Sequence, residues 1–210
     1  MDKYQETFET WNKIAKIYED KFMDMDLYNE SYDFICQNIN TENAKLLEIG
    51  CGPGNIAKYL LSKRPDFKIL GIDVAPKMIE LAQKNNPTAH FEVMDARAIN
   101  NLNDHFDGVI AGFYLPYLSV AECNEFISKS SQLLNDRGLI YLSFVEGDPK
   151  ASEFKTNHEG DRVYFQYHEL SEIETQLKAH GFGDIHVSKV AFKKPDIHTI
   201  VIARKKSNTV

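Results

Sequence analysis

Lys45-Leu46-Leu47-Glu48-Ile49-Gly50-Cys51-Gly52-Pro53-Gly54 puts glycine at every second position directly after an apolar run of strand character. Glycine permits a tight turn and lets a ligand touch bare backbone, and a helix starting after Gly54 offers its N-terminal N–H groups to an anionic group. The pattern points to a nucleotide-like ligand. It speaks against a dinucleotide, because that fingerprint needs its third glycine at position 55, which is Asn55. Asp73 closes the next apolar run, Leu70-Gly71-Ile72-Asp73, where a carboxylate can accept both hydroxyl protons of a ribose diol. The alternative is an acid favoured by the dipole of a helix that Pro76 opens. Asp95, in Val93-Met94-Asp95-Ala96-Arg97, could accept a proton from an adenine amino group, or pair with Arg97 or cap a turn. Glu48 lies inside an apolar strand and so requires a partner or a solvated cleft; a cationic ammonium would supply one.

The seven histidines include no HExxH or other close ligand pair, and the three cysteines, Cys36, Cys51 and Cys123, show no CxxC spacing. Neither a zinc site nor a disulfide framework is expected, and the thiols are expected to be reduced. His168, directly after Tyr164-Phe165-Gln166-Tyr167, is the single candidate general base, since an imidazole can take a proton near neutral pH. The alternative is a histidine bonded to backbone near a helix start.

Positioning these groups calls for short β-rich runs alternating with helices, the arrangement of stacked βα units around a parallel sheet. Strands are expected at about 45 to 49, 67 to 72, 89 to 93 and 107 to 112, with Gly138 to Val145 as a strand buried on both faces. Helices are expected after Gly54, from Pro76, from about Val120 to Leu134 and from about Ser171 to His180. Residues 184 to 191 and 197 to 204 suit an antiparallel pair joined by Lys193-Lys194-Pro195-Asp196. Glu146 to Arg162 reads as a polar surface loop, and Arg204-Lys205-Lys206 as a solvated tail. Before about residue 42, Phe8, Trp11, Ala15, Tyr18, Phe22 and Met25 recur at intervals of three and four along one helical stripe.

LEIGCGPG at 47 to 54, the Asp73 strand end, MDAR at 94 to 97, the strand Phe106-Asp107-Gly108-Val109-Ile110 and LLNDRGLIYLSF at 133 to 144 follow one another in a telling order. Over about residues 44 to 204 the chain resembles class I S-adenosylmethionine-dependent methyltransferases. The resemblance implies an α/β, Rossmann-like three-layer sandwich: a seven-stranded, mostly parallel sheet with an antiparallel last strand, plus an N-terminal helical cap. It implies residues 43–210 as the cofactor-binding domain and 1–42 as a lid. Glu48 and the backbone at Gly50, Cys51, Gly52 and Gly54 would then surround the methionine part of the cofactor. Asp73 would hold the ribose, and Val74 and Met78 would pack on the adenine. Asp95, Ala96 and Arg97 would meet the polar edge of that ring, and Gly112 and Phe113 would lie beside the sulfonium. In similar small-molecule methyltransferases the N-terminal helix covers the cofactor, which would bring Tyr18 to it and Trp11 or Phe22 to the acceptor; the plainer reading buries these rings on the sheet.

Ligands of open α/β sheets sit beyond the strand ends, so Phe113-Tyr114-Leu115-Pro116-Tyr117-Leu118 should meet the acceptor, with Tyr114 and Tyr117 foremost. Tyr167 and His168 fall where the family borders its acceptor. Members that methylate DNA bases carry Asn or Asp followed by Pro-Pro and an aromatic residue, whereas this chain has Leu-Pro-Tyr. With 24 Lys+Arg against 31 Asp+Glu, a formal charge of −7, nucleic acid is not the expected partner. No acidic cluster resembles the metal-dependent catechol enzymes, so no metal is expected. The chain is 210 residues long, 43% hydrophobic and 26% charged, the balance of a soluble globular protein. Charged residues interrupt its first thirty positions, so no membrane span or signal core is expected and the address is cytoplasmic. A homodimer stays open. The expected activity is methyl transfer to a small-molecule acceptor, with a non-catalytic S-adenosylmethionine sensor or an NAD-dependent oxidoreductase as rivals.

Overall fold

The computed structural model describes residues 3–157, 159–193 and 196–207. Three helices come first, α1 (Lys3–Lys13), α2 (Ala15–Phe22) and α3 (Asn29–Asn38). There follow β1 (Lys45–Ile49), α4 (Asn55–Lys63), β2 (Lys68–Asp73), α5 (Pro76–Asn85), β3 (His90–Val93), β4 (Phe106–Ala111) and α6 (Val120–Leu133). The chain continues with β5 (Leu134–Val145), β6 (Glu153–Thr156), β7 (Arg162–Phe165), α7 (Leu170–Ala179), β8 (Phe182–Lys193) and β9 (Asp196–Lys205).

Seven strands form one sheet in the order β3-β2-β1-β4-β5-β9-β8. The first five pair in parallel, and β9 runs antiparallel to both β5 and β8. Successive side chains of a strand point to opposite faces, so apolar runs of period one supply two cores. Leu47 and Ile49 of β1, Val109 of β4 and Ile140 of β5 pack with Ile127 of α6 and Leu177 of α7. Leu46, Ile110 and Leu139, one residue out of phase, pack with Ile35 of α3, Leu60 of α4 and Ile79 of α5. Helices therefore cover both faces, giving the expected three layers. Each of these fully buried aliphatic side chains contributes about 1.5–3 kcal/mol of transfer free energy.

Boundaries differ from expectation by one or two residues, apart from β5, which begins at Leu134 rather than Gly138. Three larger corrections concern segments whose order comes from distant partners. The N-terminal segment is three helices rather than one, and its stripe runs over the first two, with Met25 beyond them. Ile14, at φ −95° and ψ 11°, breaks α1 from α2, yet Phe8, Trp11 and Tyr18 still pack together against Ala75 and Met78. The expected loop after Glu146 contains β6 and β7, an antiparallel hairpin whose Phe154 and Tyr164 rings meet edge to face at 5.2 Å. The helix α1 lies against it. Thr10 Oγ1 donates to the Arg162 carbonyl at 2.9 Å, Thr7 Oγ1 accepts from the Tyr164 amide at 3.0 Å, and Lys13 pairs with Asp161 at 2.8 Å. Glu6 also pairs with Arg162. Arg204 and Lys205, expected in a tail, belong to β9: Arg204 Nη1 donates to the Arg137 carbonyl at 2.8 Å and Lys205 Nζ to that of Leu134 at 2.6 Å. Of the expected turn at 193 to 196, Lys194 and Pro195 lie outside the described residues. Among the described residues no helix is long and apolar enough to cross a membrane.

Candidate cofactor and acceptor site

The turn from β1 into α4 holds Gly50, Gly52 and Gly54 at φ of +60°, +52° and +82°, left-handed conformations that other residues adopt only under strain. The Cys51 amide donates to the Ile72 carbonyl at 3.0 Å, which ties the turn to the end of β2. From there Asp73 reaches back: Oδ2 accepts from the Gly52 amide at 3.0 Å and Oδ1 from the Ala75 amide at 2.9 Å. Burial pushes the Asp73 carboxyl above its ordinary value, and the amides of Ala75, Gly52 and Val74 oppose that rise. Gly54 has a packing role behind the turn. A β-carbon there would stand 2.4 Å from Asn86 Nδ2 and 3.3 Å from Ala82. Gly54→Ala is accordingly expected to destabilise the fold by about 1–3 kcal/mol, through strain and displacement of Asn86, as measured by chemical denaturation.

Beyond the carboxyl ends of β1, β2 and β4 opens a cavity of about 440 Å³. Its floor and walls include Gly50, Gly52, Asp73, Val74 and Met78 on one side, and Asp95, Ala96 and Arg97 on another. Gly112, Phe113, Tyr114 and Tyr117 line it from the segment after β4, and Trp11 and Tyr18 from the N-terminal helices. Phe113 takes φ +54°, its amide donating to Ser143 Oγ at 2.9 Å and its ring held against Tyr28 and His198 at 5.4 and 4.6 Å. A non-glycine residue in that region costs of order 1–3 kcal/mol, a strain typical of functional sites. Asp95 realises both of its local alternatives. It accepts from the Arg97 amide at 2.8 Å, and the Arg97 guanidinium lies on its carboxylate, with Nη2 at 2.6 Å from Oδ2. Burial raises the Asp95 carboxyl and Arg97 lowers it further, so it lies below its ordinary value.

Six of the expected residues are not on the cavity wall. Glu48 lies buried in β1, 1% exposed, and neither carboxylate oxygen has a hydrogen-bond partner of normal geometry. Burial pushes its pKa up to about 8, with the nearby Ala57 amide opposing and Asp73 adding to the rise. Cys51 turns its side chain into the core beneath the turn, and Gly54 faces Asn86. Phe22 packs on Tyr18 at 4.5 Å, behind the ring that meets the cavity. Tyr167 packs on Phe165 at 5.3 Å and covers Gly147. His168 corrects the general-base expectation: it is 1% exposed, its Nε2 is 2.9 Å from the Leu115 carbonyl, and burial holds its pKa below the ordinary value. A ring spent in this way supports the segment 115 to 118 instead of taking a substrate proton. His168→Leu is expected to cost about 1–3 kcal/mol of stability by orphaning the Leu115 carbonyl, with ligand affinity unchanged when both are measured on one preparation.

Sequence reasoning did not assign Tyr4, Thr7 and Phe8 of α1 or Met94 to the site, yet all are on the wall, as is Leu118 of the expected acceptor segment. Tyr4 extends the stripe that begins at Phe8 backwards by one interval of four, a signal that was available. Tyr4 donates to Glu122, which closes the capping box of α6 with Ser119, and its ring carries the Arg97 guanidinium at 4.7 Å. Among the described residues no group of three or more His, Cys, Asp and Glu is placed to hold a metal.

Residues 46–138 match a family described as a methyltransferase domain. A putative methyltransferase, 235L, of Invertebrate iridescent virus 6 is 31% identical over 112 residues, covering 53% of this chain and 40% of that protein. Carboxy-S-adenosyl-L-methionine synthase of Campylobacter hominis is 24% identical over 149 residues, covering 68% of this chain and 63% of the other. The chain thus spans less than two thirds of the length of either relative. The crystal structure of magnesium protoporphyrin IX methyltransferase from Synechocystis PCC 6803 shares the fold, with a TM-score of 0.72 at 19% identity over 98% of both chains. Residues 46–138 thus carry a match to a methyltransferase domain, set within a seven-stranded sheet of the Rossmann-like fold that the solved methyltransferases share.

Proposed function

We propose that this chain transfers a methyl group from S-adenosylmethionine to a small-molecule acceptor in the cytoplasm and releases S-adenosylhomocysteine. In this reading residues 43–210 bind the cofactor and the segment 1–42 caps it. The observation that carries it is the Asp73 carboxylate, anchored by the Gly52 and Ala75 amides at the cavity wall with lone pairs left for a ribose diol. Two further features fit the same ligand. Gly50 and Gly52 present bare backbone, where added β-carbons would stand 3.4 Å from Tyr114 and 3.7 Å from Tyr18. Glu48 is a buried carboxyl without a hydrogen-bond partner of normal geometry, which a ligand ammonium nearby would stabilise.

When bound, S-adenosylmethionine supplies a methyl group on an already activated sulfonium. The chain's own part is alignment and exclusion of water. Asp73 fixes the ribose, Val74 and Met78 flank the adenine, Ala96 offers backbone to its polar edge, and Phe113 and Tyr114 border the reacting end. Trp11 and Tyr18 close the cavity from above. Titration calorimetry with S-adenosylhomocysteine and, separately, NAD tests the reading. Micromolar binding of the first without the second is expected; binding of NAD alone would overturn it.

A further inference from the structure

Taking the methyl-transfer reading as its basis, we propose that the acceptor is a small amine held among aromatic rings, and that methylation occurs on nitrogen. Tyr4, Phe8 and Trp11 of α1 face the cavity together with Tyr114 and Tyr117 from the segment after β4. Trp11 stands edge-on to Tyr18, at 5.4 Å between centroids and 87° between planes, and edge-on to Tyr117, at 6.0 Å and 77°. Rings set upright to one another present π faces from more than one side, which suits an ammonium or a polarised amine.

The charges on the wall agree. Arg97 is the one cation among the described residues that line the cavity, and it is committed: Nε and Nη2 sit on Asp95 and its plane lies over Tyr4. Asp73 has no cationic partner on that wall. A carboxylate entering here would give up water without meeting an uncommitted positive charge, whereas an amine would meet rings and net negative charge. Thr7 Oγ1 is already spent on the Lys3 carbonyl and the Tyr164 amide, and Gln5 Nε2 on Glu9. The Trp11 indole N–H, buried on the wall near the Tyr117 hydroxyl, has no hydrogen-bond partner of normal geometry and can turn to the acceptor.

The supply of bases agrees too. Among the described residues lining the cavity there is no His, Lys, Cys or Glu; Asp95 is paired, and Asp73 is held by two amides. A hydroxyl acceptor needs a positioned base for its proton, while the free base of an amine brings its own lone pair. In the step, that lone pair forms the N–C bond as the C–S bond breaks. The C–S electron pair stays on sulfur, leaving the neutral thioether, and the surplus proton on nitrogen leaves to solvent.

The test uses benzylamine, benzyl alcohol and phenylacetate, each titrated into protein saturated with S-adenosylhomocysteine. A parallel incubation with S-adenosylmethionine is read by mass spectrometry for N-methylbenzylamine. Benzylamine is expected to bind at least about tenfold more tightly than phenylacetate, with benzyl alcohol between them. Trp11→Leu is expected to bring the ratio toward one, and Trp11→Phe to restore most of it. Turnover of benzylamine should rise with pH as its free-base fraction grows. Phenylacetate binding as tightly as benzylamine, or no member of the series binding the loaded protein, would overturn the proposal. Failure of S-adenosylhomocysteine itself to bind would instead remove the methyl-transfer reading, and this proposal with it.

Discussion

Asp73→Ala is expected to weaken S-adenosylhomocysteine binding by about a hundredfold or more in titration calorimetry, with circular dichroism unchanged. Hydrogen bonds to a charged carboxylate contribute about 1.5–3 kcal/mol each, and the substitution removes two toward the ribose diol. It also frees the Gly52 and Ala75 amides that hold the glycine turn against β2, so preorganisation is lost along with contact. Asp73→Asn keeps one acceptor oxygen and should fall between parent and alanine variant. Unchanged affinity in Asp73→Ala would show that the ligand does not place its diol at the end of β2.

Glu48→Gln is expected to raise the stability of the ligand-free protein at pH 8 while weakening S-adenosylhomocysteine binding. Burial lifts the Glu48 carboxyl from 4.5 to about 8. Between these values the unfolded chain is ionised and the folded one holds its proton. Stability is therefore full below pH 4.5 and falls as pH rises toward about 8, by about 1.4 kcal/mol per unit. Glutamine has no proton to lose, so the variant should exceed the parent by roughly 2–4 kcal/mol at pH 8 and converge with it toward pH 5, as followed by urea denaturation. The ligand ammonium loses a counter-charge in the variant, and affinity should drop by about tenfold. A stability difference independent of pH would show that Glu48 is ionised in the ligand-free fold.

The parts legible in the sequence are those whose cause is local. Gly50, Gly52 and Gly54 each need a left-handed backbone, and Asp73 and Asp95 end apolar runs whose period puts them at one edge of the sheet. Glu48 stood out because a carboxylate inside Leu46-Leu47-Glu48-Ile49 has no local excuse. His168 and Tyr167 could not be placed in the same way. Their neighbourhood is set by the Leu115 carbonyl and Gly147, contacts that no spacing announces. The hairpin of β6 and β7 was hidden for a related reason. Its β6 residues are mostly exposed, and its outer face is ordered by α1 rather than by an apolar pattern of its own. Likewise, the aromatic stripe of the N-terminal segment told which rings act together but not that Ile14 interrupts the helix between them.

The clasp between α1 and the hairpin joins residues far apart in the chain: Thr10 to Arg162 spans 152 positions and Lys13 to Asp161 spans 148. During synthesis the helix that carries Phe8 and Trp11 is made well before the strand it must grip, so its apolar stripe waits without that partner while the sheet forms. The floor of the pocket can assemble from β1, β2 and β4 as they emerge, and Ala75, Met78 and Tyr117 can then receive the roof rings, but the clasp that fastens α1 forms only after Tyr164 has been added. A nascent chain arrested before Arg162 would thus carry the whole glycine turn and Asp73 beneath a roof that rests on Ala75, Met78 and Tyr117 without its clasp.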